Sequence, residues 1–251
     1  MQQHRFSRTA MLIGEAGVAK LAAARVLVFG VGGVGSYAVE ALARAGVGEL
    51  TLVDYDTVDI TNINRQLHAL DNTIGRYKVD LMAARVQLIN PQATVIPLRQ
   101  FYTPEAGEGL ISSRYSYVVD AIDNITGKLD IIRRCYRHNI PVISSMGAGN
   151  KLDPAAFRVA DISQTSVDPL ARVIRRELRK WDITGGVKVV YSPEQPVPPR
   201  VKVTKSAAGS PDEPGGGHSL APGSISFVPA AAGLVLAGAV VRDILGMDNR
   251  A

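Results

Sequence analysis

Apolar positions along this chain fall into short runs that alternate with longer stretches of helical spacing. The runs at 26–29, 50–53, 93–98, 117–119 and 141–144 are too short for helices and read as strands. Between them, residues 34–45, 76–89 and 124–138 carry apolar side chains three and four apart. In 76–89 the stripe is Val79, Met82, Ala83, Val86 and Ile89, stopped by Asn90-Pro91. A further helical stretch, 11–24, comes before the first strand, and 56–68 is polar and irregular. Strand and helix in alternation predict an α/β fold: a mostly parallel sheet with helices on both faces.

Beyond Gly149 the pattern changes. Residues 157–162 alternate like a strand with one wet face, and 188–191 form another short strand. Asp168-Pro169 is a strong helix start. The helix it predicts carries Leu170, Val173, Ile174, Leu178 and Trp181 on one face and Arg172, Arg175, Arg176 and Arg179 off it. Residues 193–223 are rich in Pro, Gly and Ser and are expected to form a mobile loop. The apolar run 225–241 falls short of the roughly 20 residues a membrane span needs, so a buried helix is expected and no membrane insertion. The division that follows is a nucleotide-binding domain at 1–150 and a small C-terminal α+β extension of the same domain at 151–251.

Composition adds three constraints. Charged residues at 20% and hydrophobic residues at 46% are ordinary for a soluble globular protein. A lone cysteine, Cys135, excludes an intramolecular disulfide and any Cys-x-x-Cys zinc pair. Residues 1–8 are polar with no apolar signal core, so the expected location is the cytoplasm. Charge matters more for its place than its size. Between Asp168 and Lys205 nine Lys or Arg face four acids, while the rest of the chain balances at nineteen of each. Such a local excess suits either a solvated surface or a polyanion.

Candidate chemistry gathers around the first strand. Gly30, Gly32 and Gly35 fit G-x-G-x-x-G, with Gly33 between them, and join a strand to a helix start. Glycine serves there because the backbone must turn sharply and let a phosphate approach the helix N-terminal amides. Asp54 ends the second strand nineteen residues beyond Gly35, the distance at which a Rossmann-like unit sets an acid on the ribose hydroxyls. Up to this point a dinucleotide and ATP fit equally well. Asn62, Arg65 and Gln66 follow the acid closely, and Lys78 opens the next helix. Arg65 and Lys78 are therefore placed to reach a polyphosphate. Asp120 and Asp123 stand at the end of the 117–119 strand, on the sheet edge where such folds bind ligands, and a carboxylate there suits Mg²⁺. Each has a plainer alternative: surface charges for Arg65 and Lys78, a helix N-cap for Asp123.

The segments GVGGVG, LVDYDTVDITNINRQ, GRYKVD and VVDAIDN, in this order and spacing, resemble the ATP-dependent adenylating enzymes related to ubiquitin-activating enzyme. The resemblance covers residues 5–148. It implies that Asp54 holds the ribose, Arg65 and Lys78 the phosphates and Asp123 the magnesium, with Asp56, Asn62, Gln66 and Asn124 completing the nucleotide site. It also implies a homodimer in which Arg8, in RFSR, reaches into the neighbouring subunit's site.

Departures from the family pattern narrow this reading. The zinc cysteines and the acyl-accepting cysteine common among members that process ubiquitin-like partners are absent. NRQLHAL, YSYVVDAIDN, SSMGAGNKLDP, DPLARVIRRELRK and SISFVPAAAGL look most like the branch that dehydrates threonylcarbamoyladenosine in transfer RNA. That resemblance implies ATP, Mg²⁺ and tRNA as partners, an acyl-adenylate closed by the substrate's own carbamoyl group, and a possible sulfur-transfer partner protein. It also offers Arg172, Arg175, Arg176, Arg179 and Lys180 as RNA contacts, with His68 a candidate base by position. The alternatives are an adenylyltransferase for a ubiquitin-like sulfur carrier and, from another class, a nicotinamide-dependent oxidoreductase or nucleotide-binding regulator.

Overall fold

The structure, a computed structural model, describes residues 3–201 and 222–247. Most of the 193–223 loop, with Lys202 and Lys205, lies outside the described residues. Seven strands form one sheet: β1 (Arg25–Phe29), β2 (Glu49–Val53), β3 (Thr94–Leu98), β4 (Tyr117–Asp120), β5 (Val142–Ser145), β6 (Arg158–Asp161) and β7 (Lys188–Tyr191). Their order is β3-β2-β1-β4-β5-β7-β6. Every pairing is parallel except that of β6 with β7, which runs antiparallel at the edge. The chain reverses its direction across the sheet between β1 and β4, and a ligand crevice opens beyond the carboxyl ends of strands at such a point.

The helices are α1 (Ser7–Ala22), α2 (Gly35–Ala45), α3 (Lys78–Ile89), α4 (Pro104–Leu110), α5 (Ile125–Arg137), α6 (Pro169–Arg179) and α7 (Phe227–Leu245). They cover both faces because alternate strand residues point opposite ways. Val26 and Val28 of β1 join the cluster with α2, α3 and α7, whereas Leu27 and Phe29 join Tyr102, Ile131 and Cys135 on the α5 side. A third cluster packs α6 through Ile174 and Leu178 onto Val187 and Val189 near the sheet's far edge. By length and composition α7 could cross a bilayer, yet it buries Val228, Ala232, Leu236 and Val240 in the same cluster as α2. Its small residues allow that close approach.

Three helices differ from the sequence reading. The first helix begins at Ser7, so Arg8 lies in its first turn, and it breaks at Gly14, whose φ of 72° is outside helical range. α4 went unread because Gly107 and Gly109 dilute its pattern; the Thr103 hydroxyl caps it by accepting from the Ala106 N–H. α6 stops at Arg179. Trp181 therefore leaves the apolar face, is 38% exposed and lies under the Arg133 guanidinium at 4.7 Å. The helix start at Asp168-Pro169 is as expected, with the Asp168 carboxylate accepting from the Ala171 N–H at 2.9 Å.

Candidate active site

At the carboxyl end of β1 the chain turns through Gly30, whose φ of 83° is costly for any other residue. A Cβ there would stand 2.7 Å from the Ala121 carbonyl oxygen, and one on Gly35 would stand 1.8 Å from the Gly30 carbonyl oxygen. These two glycines let β1, the turn and α2 close on each other. Gly32 instead faces the Gln66 amide nitrogen, 3.8 Å from where a Cβ would be, and Gly33 faces Pro229 of α7 and the Arg65 side chain. The open side of the turn is thus walled by Arg65 and Gln66, two residues singled out by sequence.

Asp54 braces the turn. One carboxylate oxygen accepts from the Val31 N–H at 2.7 Å and the other from the Asp56 N–H at 2.9 Å. Each oxygen keeps a second lone pair, so the group can still accept from ribose hydroxyls. Burial pushes the Asp54 carboxyl above its ordinary value, and Lys78 with those two amides offsets part of the rise.

Residues after Asp54 form a scaffold for cations. The Lys78 and Val58 N–H groups donate to the Asp56 and Arg76 carbonyls, a bridge joins Thr57 to Tyr77, and together these bring α3's first residue beside β2. The Lys78 ammonium donates to Asp56 Oδ2 at 2.6 Å; the Lys78 side chain is 6% exposed and that of Asp56 41%. Asn62 is buried, and its Oδ1 closes a short turn by accepting from the Asp59 N–H at 3.2 Å. Arg65 is half-buried, its guanidinium donating to the Thr61 carbonyl at 2.7 Å and the Asn64 side chain at 3.0 Å. Burial lowers its pKa, but a guanidinium remains charged.

Opposite these cations lie carboxylates. The cap of α5 is Asn124, accepting from the Gly127 N–H at 2.8 Å, so Asp123 is not that cap. Asp123 is exposed, and with Asp54 and Asp56 it surrounds Tyr55, whose hydroxyl is pushed up by burial first and then by Asp56, Asp123 and Asp54. Asp120 is a different case. Fully buried, it accepts from the Lys128 ammonium at 2.7 Å and from the Ser144 hydroxyl at 2.6 Å on one oxygen and from the Ile122 N–H at 3.2 Å on the other, and so is committed to holding the fold. Lys128, which sequence reasoning missed, pins α5 and the end of β5 to β4 and thereby sets the loop that carries Asp123. Its signal was a lysine among the apolar residues of α5, eight residues after an aspartate.

His68 is 5% exposed, and neither ring nitrogen has a hydrogen-bond partner among the described residues. Burial and then the Lys78 charge lower its pKa to about 4, which makes it a poor general base at neutral pH. Cys135 is buried, its thiol pushed up to about 12 by burial, and is unsuited to nucleophilic work.

Away from the crevice, Arg8 is exposed on α1. On α6, Arg172, Arg176 and Arg179 are exposed, as is Lys180 just beyond, with Arg176 and Lys180 pairing to Glu177 at 3.1 and 2.6 Å. Arg175 is committed inward. Its guanidinium donates to the Thr165 carbonyl at 2.8 Å and to the Thr165 hydroxyl, holding the turn before α6. Lys188 pairs with Asp243 of α7 at 2.5 Å and does not belong to this surface.

The ThiF family matches residues 6–251. A Bacillus subtilis protein named tRNA threonylcarbamoyladenosine dehydratase is 50% identical over 242 residues, 96% of this chain and 95% of that protein. The crystal structure of the Escherichia coli tRNA N6-threonylcarbamoyladenosine dehydratase, TcdA, in complex with ATP superposes with a TM-score of 0.85 at 36% identity, covering 96% of this chain and 94% of that one. A Salmonella typhimurium molybdopterin-synthase adenylyltransferase is 40% identical, over 48% of each chain.

Proposed function

The chain belongs to the ThiF family, and from that premise we propose that it is an ATP-dependent dehydratase acting on threonylcarbamoyladenosine in tRNA. The observation that carries this reading is the combination in one crevice of a glycine turn, a ribose acid and two basic residues, in a chain that resembles proteins of that activity end to end.

In this reading the nucleotide's phosphates lie along the turn from Gly30 to Gly35, with Asp54 on the ribose and Arg65 and Lys78 on the phosphates. Lys78 and Arg65 stabilise charge that develops as pyrophosphate leaves. The threonyl carboxylate attacks the α-phosphorus, giving an acyl-adenylate. The carbamoyl group of the same nucleoside then attacks the acyl carbon, loses a proton and expels AMP, so the product lacks one water. Both reacting groups sit on one nucleoside, and this proximity supplies rate that other members obtain from a cysteine. The buried Cys135 accords with such a route.

Magnesium fits the donor set. Among the described residues no group of three or more His, Cys, Asp or Glu could cage a metal alone, and Mg²⁺ favours one or two carboxylates completed by phosphate oxygens and water. Asp123 would hold it; when bound, the ion neutralises phosphate charge. Arg172, Arg176 and Arg179 supply a basic face for the RNA backbone, with Lys180 beside them. A homodimer with Arg8 delivered to the partner's site completes the proposal, a sulfur-transfer protein is a further possible partner, and a tRNA substrate implies the cytoplasm.

Incubation with ATP, Mg²⁺ and modified tRNA, followed by mass analysis of the digested nucleosides, tests the reading. Loss of one water from threonylcarbamoyladenosine is expected. Pyrophosphate exchange that ignores RNA and depends on a small diglycine-tailed protein would overturn it in favour of sulfur-carrier adenylation.

A further inference from the structure

Among the described residues, three of the five buried side-chain atoms without a hydrogen-bond partner are Gln66 Oε1 and the two ring nitrogens of His68. They lie on one short segment. The Leu67 N–H donates to the Ser36 hydroxyl in the first turn of α2 at 3.3 Å, and the Thr73 hydroxyl donates to the His68 carbonyl at 2.8 Å. Residues 66–68 are therefore clamped beside the N-terminal end of α2, next to the glycine turn. A folded protein rarely leaves a buried imidazole unpaired at both nitrogens, since desolvation of each is uncompensated. An aliphatic residue would fill this site at lower cost.

We propose that His68 is a nucleotide-binding residue: its ring accepts a hydrogen bond from the Lys78 ammonium and donates one to a phosphate oxygen of bound ATP. The inference rests on the adenylation reading. Lys78 has a single acceptor, Asp56, among the described residues, so its ammonium has protons to give. Burial, and after it the Lys78 charge, keeps the ring neutral. A neutral imidazole has one acceptor and one donor, which is what a bridge from an ammonium to a phosphate requires. In the absence of ATP the ring bears the cost of both unmade bonds, and ATP recovers it.

The test joins a spectrum to a trade-off. In protein labelled with ¹⁵N-histidine, ATP and Mg²⁺ should move the ring-nitrogen resonances that vanish in His68→Leu. His68→Leu should melt at the same temperature as wild type or higher without ATP, yet bind ATP roughly tenfold or more weakly. His68→Gln, which keeps one donor and one acceptor, should recover part of that affinity. The assignment is overturned if wild type binds ATP while the His68 resonances stay put, or if His68→Leu binds ATP as wild type does. Wild type that binds no ATP would sink the adenylation reading itself.

Discussion

Two lysines begin helices' work at the same sheet edge and are both shut away from solvent, yet their surroundings oppose each other. Lys128 is wholly buried and uses its ammonium fully, donating to Asp120 at 2.7 Å, the Ser144 hydroxyl at 3.1 Å and the Ser145 carbonyl at 2.9 Å. Among the described residues Lys78 has Asp56 alone, at 2.6 Å, and that carboxylate is 41% exposed. A saturated buried pair gains all it can from the fold and has nothing left for a ligand. An unsaturated one is costly until something else arrives. The difference separates a residue whose bonds are all spent within the fold from one with bonding capacity left over.

Exchanging the two roles by mutation gives the largest effects. Lys78→Met should cut AMP formation roughly 10³-fold while leaving the melting temperature nearly unchanged, because Asp56 stays hydrated. A large melting shift in that variant would break the comparison. Lys128→Met should do the reverse, destabilising by about 3–5 kcal/mol, on the order of 10 °C in Tm, since a fully buried Asp120 is left unpaired. Calorimetry beside a single-turnover AMP assay measures both. Asp123→Asn belongs with Lys78: AMP formation should fall by about 10²-fold, with unfolding unaltered.

A smaller effect comes from His68. Its folded pKa of about 4 lies below the ordinary histidine value of 6.5, so below 6.5 the unfolded chain binds a proton that the folded chain refuses. Stability from this group is therefore complete above pH 6.5 and lost as the pH falls towards 4, on the order of 3 kcal/mol in total. Urea unfolding of wild type and His68→Leu across that window should diverge progressively at the acid end. Parallel curves would remove His68 from the unsaturated side of the comparison.

The smallest effects repeat the contrast on α6. Reversing Arg172, Arg176 and Arg179 together should lower the salt slope of tRNA binding by roughly 2–3 and leave the fold intact. Reversing Arg175 should instead lower stability, because its guanidinium holds Thr165 before the helix. If the four arginines behave alike in both assays, the division of α6 into an inward and an outward charge fails.

Much of this was readable from residue order. Apolar runs of three to six residues marked the strands to within a residue or two, and Gly30, Gly35 and Asp54 marked the turn, because these depend on neighbours in the chain. Positive charge at Arg65 and Lys78 distinguished a polyphosphate from a bare dinucleotide turn. Spacing alone could not separate Asp120 from Asp123, nor Arg175 from Arg176. Each pair sits on one short segment with the same chemistry, and only partners distant in sequence tell its members apart. Ser144 and Lys128 claim Asp120; Thr165 claims Arg175. The same holds for His68, which in sequence is a candidate base by position only and in the fold is buried with neither nitrogen bonded among the described residues.

By itself, then, the sequence determined the alternation of strand and helix, the glycine turn and the residue types at the crevice, all of which follow from local sterics and periodicity. Tertiary structure decided which of those charges are consumed by the fold and which keep bonding capacity for a ligand. A side chain's hydrogen bonds are set by what packs against it, and packing is not a property of the chain's order.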